Sequence, residues 1–214
     1  LLAGEPTQER PPFGRLRRSF LPLLGETVAG RADIWAFSLF GTLVGLGHYS
    51  ALQTLMMPIA MVSNAMLASS TAHLDWMSAK AVGDYMRRSI TLLGMLCVAV
   101  GAIGVIIGPT LLAAVLGKSF EGASWMIPWL TFNIMLQAIA GQLHTAVQLS
   151  GASSAFVLIQ SVDAALRLAL VFAGALVLGE LGIIAGMLAC SLGKAVWSAY
   201  ALSRQLRGSE LAGG

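Results

Sequence analysis

Residues 90–115 read ITLLGMLCVAVGAIGVIIGPTLLAAV and contain no charged side chain. A helix crossing the ~30 Å hydrocarbon core of a bilayer needs about 20 mostly apolar residues. A soluble helix of that length would keep one polar face for water. This stretch has none, so it predicts a membrane span. Outward from it, comparable runs occupy about 19–43, 50–70, 125–149, 155–178 and 183–202.

Composition agrees. Of 214 residues, 57% are hydrophobic and 11% are charged, against roughly a quarter charged in soluble domains. Mean hydropathy is +0.78. Too little charge remains to solvate a globular surface. The expected fold is an all-α membrane protein, a six-transmembrane-helix bundle over 19–204, with a short tail at 205–214. Residues 1–18, LLAGEPTQERPPFGRLRR, are polar and proline-containing. They lack the apolar core of a signal peptide and read as a linker that follows an upstream portion.

Loop charges fit six alternating spans. Arg10, Arg15, Arg17 and Arg18 precede the first span, Lys80, Arg87 and Arg88 follow the second, and Arg204 and Arg207 follow the sixth. All fall on one side, with Lys118 alone on the other. The positive-inside bias places both termini in the cytoplasm. The net charge of +3 therefore reports orientation, and no basic patch interleaved with aromatics points to nucleic acid. Cys97 and Cys190 both lie in apolar spans, which argues against a disulfide framework or a metal site. No HExxH, GxSxG or Walker motif occurs. The reading is a non-enzyme without a cofactor.

Charged groups inside the spans are the functional signal, because each costs at least about 2.5 kcal/mol near the bilayer centre. The first span carries Glu26, Arg31 and Asp33, the fifth Asp163 and Arg167, and the sixth Lys194. At about 100° per residue, Asn133, Gln137, Gly141, His144 and Gln148 share one face of the fourth span. Gln160, Asp163 and Arg167 do so on the fifth, Ser191, Lys194 and Ser198 on the sixth, and Gln53 and Asn64 on the second. None of these stripes can face lipid, so they are expected to converge on a hydrated space. Bland readings stand beside this. Asp163 and Arg167 have the i, i+4 spacing of an intrahelical ion pair. Glu26 or Asp33 could neutralise Lys194 or Arg31. The amides could be interhelical glue, and His144 and the methionines Met56, Met57, Met61 and Met66 could be packing.

Several segments resemble a known family. RADIWAF (31–37), the short loop VGLGHYSAL (44–52) and the following long span are similar to the seventh and eighth helices of polysaccharide flippases. These belong to the multidrug/oligosaccharidyl-lipid/polysaccharide exporter superfamily. GPTLLAAVLGKSFEGASWMIPWL (108–130) is similar to a family segment at Pro109, Leu111, Leu112, Gly117, Phe120 and Ala123, although Leu116 replaces the usual aromatic. The turn LSGASS (149–154) lacks the basic residue of its family counterpart.

The resemblance implies the second, C-terminal half of a pseudo-symmetric transporter of 12–14 helices, with residues 1–18 joining the halves. It implies the flipping of a lipid-pyrophosphate-linked oligosaccharide across a bacterial inner membrane by alternating access. Arg31, Lys194 and Arg167 would then contact the anionic carrier, with Gln53, Asn64, Gln137 and His144 along the cavity. Glu26, Asp33 and Asp163 would balance charge or carry a coupling proton or sodium. The partners implied are membrane lipid, the lipid-linked oligosaccharide, the other transporter half and polysaccharide polymerase machinery. Two other readings remain open: a cation-coupled multidrug exporter, and a non-transporting membrane scaffold, which would have no water-sized cavity.

Overall fold

A computed structural model describes residues 24–74, 79–149 and 153–212. The 1–18 segment, the start of the first expected span with Pro22, and the middle of the LSGASS turn lie outside the described residues. The described residues are helical: α1 (24–29), α2 (Ala32–Phe40), α3 (Leu43–Leu74), α4 (Ala79–Leu116), α5 (Met126–Leu149), α6 (Ser153–Leu178) and α7 (Glu180–Ala212), with a 3₁₀ turn at Lys118–Ala123.

Three stretches among them are long and apolar enough to cross a membrane: Gly83–Leu116, Ala155–Leu178 and Glu180–Gln205, whose most apolar 18 residues average hydropathies of 2.7, 1.9 and 1.5. They mark the chain as a membrane protein. At 24 residues, α5 is as long as the second of these. Asn133, Gln137, Gln142, His144 and Gln148 dilute its hydropathy.

The first expected span is not continuous. At Gly30 the N–H still reaches Glu26 O at 2.7 Å, but Arg31 N–H closes back on Val28 O at 3.1 Å. Arg31 adopts φ −112°, ψ 8°, outside the helical well. A second break follows at Gly41, which is extended (ψ 179°). Thr42 then starts α3. Its hydroxyl accepts the Gly45 N–H at 2.9 Å, the geometry of an N-cap.

The stretch 44–52, expected as a loop, is helical. Gly45 and Gly47 carry a low helix propensity, but burial overrides it: Tyr49 and Leu52 are fully buried, and Tyr49 stacks on Phe37 with ring centroids 4.5 Å apart. The polar loop expected after 70 is helical on both sides of residues 75–78. At 38 residues, α4 is about 57 Å long. It therefore outruns the hydrocarbon core and carries its charged first turns beyond it.

The helix α7 packs along both α5 and α6, while α3 and α4 flank α5 and α2 bridges α3, α6 and α7. The α6–α7 hairpin turns at Gly179, whose φ of 61° suits glycine. Above the turn, Gly174 and Gly182 meet backbone to backbone, leaving no room for a Cβ on either, and Gly186 lies against Leu170 and Val171. Close approach of this kind is how small residues join membrane helices. By contrast, of the most apolar 18 residues of each, only 6% are buried in Gly83–Leu116 against 50% in Glu180–Gln205. Thus α4 is peripheral and α7 is central.

Candidate functional site

The helices enclose two adjoining cavities. The first, of about 420 Å³, is lined by Glu26, Ala29, Asn64, Gly141, Asp163 and Lys194 among others. The second, of about 400 Å³, is lined by Arg31, Asp33, Tyr49, Gln53, Met56, Met57 and Met187 among others. Gly30, Ala60, Ile134, Gln137 and Arg167 border both. The helix break at Gly30–Arg31 thus forms part of the common wall. A third hollow, about 410 Å³ between α4 and α5, is lined almost wholly by apolar groups such as Val98, Ile106 and Phe132.

Three elements meet at Lys194. Its Nζ lies 3.1 Å from Glu26 Oε1 on α1 and 3.3 Å from Asp163 Oδ2 on α6. Gln160 Nε2 donates to the other Glu26 oxygen. The sequence allowed an Asp163–Arg167 pair along one helix, but Asp163 pairs across to α7 instead. Arg167 keeps no ion pair among the described residues, and its Nε is buried without a hydrogen-bond partner.

Asp33 is buried in a cluster of neutral donors. Tyr49 Oη donates to its carboxylate, Gln53 Nε2 donates to it at 2.9 Å, and Gln53 also donates to Tyr49 Oη at 2.7 Å. Arg31, two residues away, does not join this cluster. It is exposed on the second cavity and has no ion pair among the described residues.

The amide stripe of α5 divides its work. Asn133 accepts from Ser191 at 2.8 Å and so glues α5 to α7, although its residue also borders the second cavity. Gln137 is exposed on both cavities. His144 borders neither cavity; it is buried and stacked on Phe156 of α6 at 4.1 Å, with both ring nitrogens unbonded among the described residues. That is a packing position. Gln148 is exposed.

The cavities therefore gather Glu26, Arg31, Asp33, Gln53, Asn64, Gln137, Asp163, Arg167 and Lys194, and leave His144 aside. Sequence reasoning missed Tyr49, the donor that holds Asp33. Its spacing of four from Gln53 is the signal of a shared helix face. Reading 44–52 as a loop removed the helix on which to count it.

Electrostatically the two cavities differ. Glu26 and Asp163 balance Lys194 and Arg167 in the first. In the second, Arg31 and Arg167 face Asp33 alone, so the second cavity is the more positive. No protein-family model matches the chain, and neither a curated protein nor a solved structure does.

Proposed function

We infer that this chain is one half of a bacterial inner-membrane transporter, built as six spans with both termini cytoplasmic. On this reading it flips a lipid-pyrophosphate-linked oligosaccharide by alternating access. The observation that carries the reading is the pair of guanidinium groups, Arg31 and Arg167, that border the second cavity without a carboxylate partner among the described residues. A guanidinium at mid-membrane depth without a counter-charge is costly, and the Arg167 Nε is also buried. An anionic ligand supplies the missing counter-charge through charge-assisted hydrogen bonds. Amide and carboxamide groups at Gln53, Asn64 and Gln137 suit a hydroxyl-rich sugar, and the thioethers of Met56, Met57 and Met187 suit an adaptable apolar contact. Lys194 has a different place in this scheme: two carboxylates saturate it, so it serves the protein and not the carrier.

Cavities of this size weigh against a tightly packed scaffold. A cation-coupled exporter draws support from one observation, the three carboxylates Glu26, Asp33 and Asp163 on the cavity walls. The test is a flipping assay on the complete protein in proteoliposomes, with a fluorescent lipid-pyrophosphate oligosaccharide. Arg31→Ala and Arg167→Ala are expected each to lower the rate at least tenfold. Undiminished flipping in both variants removes the anionic-carrier reading. Export of organic cations by the same liposomes would favour the exporter instead.

A further inference from the structure

The hollow between α4 and α5 has a chemistry unlike that of the two cavities. Among the described residues that line it, Thr131 alone has a polar side chain. That hydroxyl is already engaged, donating to Ile127 O at 2.9 Å. The lining side chains therefore offer an occupant no free hydrogen-bonding group. At about 410 Å³, the hollow falls in the range of small-molecule sites, roughly 300–1,000 Å³. Elsewhere along the same helix pair the space is filled. Ile127 packs over Gly104 and Gly108, whereas a Cβ on Gly101 would meet only the Thr131 methyl group, at 3.6 Å.

Depth narrows the choice of occupant. The hollow takes its α4 wall from Val98 to Ile106, inside the apolar stretch Gly83–Leu116. At 1.5 Å per residue, Ile106 is about 15 Å short of Leu116 and Val98 about 22 Å beyond Gly83. An ordinary phospholipid keeps its phosphate at the membrane surface, well away from this level.

An anion-binding cavity adjoins instead. Thr131 has two faces: its methyl is turned to Gly101 of α4, and its hydroxyl lies 3.9 Å from Met56 Sδ of α3. Met56 borders the second cavity, where Arg31 and Arg167 face Asp33 alone. The apolar hollow and the positive cavity thus approach each other across one contact. One of its two members is a thioether side chain, flexible enough to re-pack around a ligand.

We propose that the α4–α5 hollow is the hydrocarbon-tail subsite of the lipid-pyrophosphate carrier, whose anionic head occupies the second cavity, with Thr131 and Met56 at the crossing. The identity of the head rests on the transport reading. The tail subsite rests on the lining, the depth and the crossing.

The test uses the complete protein in phosphatidylcholine nanodiscs. The probe is a polyprenyl pyrophosphate carrying a diazirine in its chain, and a phosphatidylcholine with a mid-chain diazirine is the comparison. Cross-linked residues are mapped by mass spectrometry. The polyprenyl probe is expected to label 98–106 and 128–135. Excess unlabelled polyprenyl pyrophosphate should lower that labelling about fivefold, and excess phosphatidylcholine should not. Gly101→Leu fills the hollow at a helical position where leucine is the better helix former, and should lower the labelling by a similar factor. Ile107→Phe, exposed on α4 outside the hollow, should leave it unchanged. The competition in the parent protein needs no variant and decides the matter by itself. Labelling that unlabelled polyprenyl pyrophosphate does not displace, or that phosphatidylcholine displaces equally, makes the hollow ordinary lipid-facing surface and overturns the subsite. Flipping is measured on the same protein in proteoliposomes. Flipping without displaceable label in the hollow overturns the subsite and leaves the transport reading standing. Displaceable label without flipping keeps the subsite and removes that reading.

Discussion

Lys194 and Arg31 are both cations in the middle of an apolar chain, yet their surroundings make opposite predictions. Lys194 is largely buried and bridges two helices by ion pairs. Truncating one partner of a buried ionic cluster leaves the others uncompensated and typically costs 3–5 kcal/mol. Lys194→Ala should therefore lower the thermal unfolding midpoint sharply. Combining Lys194→Met with Glu26→Gln and Asp163→Asn should recover most of that loss, because no stranded charge remains. Recovery no better than in the single variant would show that the amine contributes through something other than charge. Arg31 is exposed and unpaired among the described residues, so Arg31→Ala should change stability by no more than about 0.5 kcal/mol while removing transport. That split between stability and activity separates a ligand-facing cation from a structural one. The sequence revealed which residues were out of place in a membrane. It offered Glu26 as a partner for Lys194, which the structure shows, but missed the second pair, because Asp163 had a local candidate in Arg167 and took the distant Lys194 instead.

Helices were legible where one physical signal dominated. The α5 and α6 boundaries follow the apolar runs that end in glycine, serine or a turn. The reading failed where two signals competed. Around Gly45 and Gly47 the propensity is that of a loop, but the buried Tyr49–Phe37 stack and the Thr42 cap hold the segment helical. At Gly30–Arg31 the composition is that of a continuous span, yet the helix breaks inside the cavity wall. Neither outcome is encoded within a few residues; both depend on neighbours supplied by other helices. The α6–α7 contact gives the clearest element-level prediction. A side chain on Gly182 would meet the backbone of Gly174, which cannot retreat as a flexible side chain could. Gly182→Leu should cost at least about 1–3 kcal/mol, seen as a lowered midpoint in thermal unfolding. The same change at Gly193, where a Cβ would meet nothing within 4 Å, should be nearly silent. Equal effects at the two sites would mean that helix propensity, and not contact, controls the pair.

At the scale of the whole molecule, α4 exposes an apolar surface while two polar-lined cavities lie among the other helices, and one membrane orientation has to serve both. On the proposed six-span reading, the charge bias would put Arg204 in the cytoplasm and the Lys118–Ala123 turn on the opposite face. Single cysteines introduced at Gly122 and Ser203, in a background without Cys97 and Cys190, should be labelled by a membrane-impermeant maleimide from opposite sides of sealed vesicles. Labelling of both from one side would break the six-span arrangement. The cavities could not be foreseen in outline from the chain alone. Helical periodicity shows which face of each helix is polar, but not the distance at which the faces stop short of one another.

The carboxylate of Glu180, at the first residue of α7, accepts both the N–H of Thr42 at 3.2 Å and its hydroxyl at 2.8 Å, so one acid clamps the leading end of α3 to the helix that packs along both α5 and α6. Farther along, α3 leaves that support and runs past the cavities with Asn64 exposed. A rod gripped at one tip and flanked along its length by α5 alone deflects most at the other. Any widening of the polar-lined space by α3 should therefore begin at the end that the proposed orientation places in the cytoplasm, while the opposite rim stays shut.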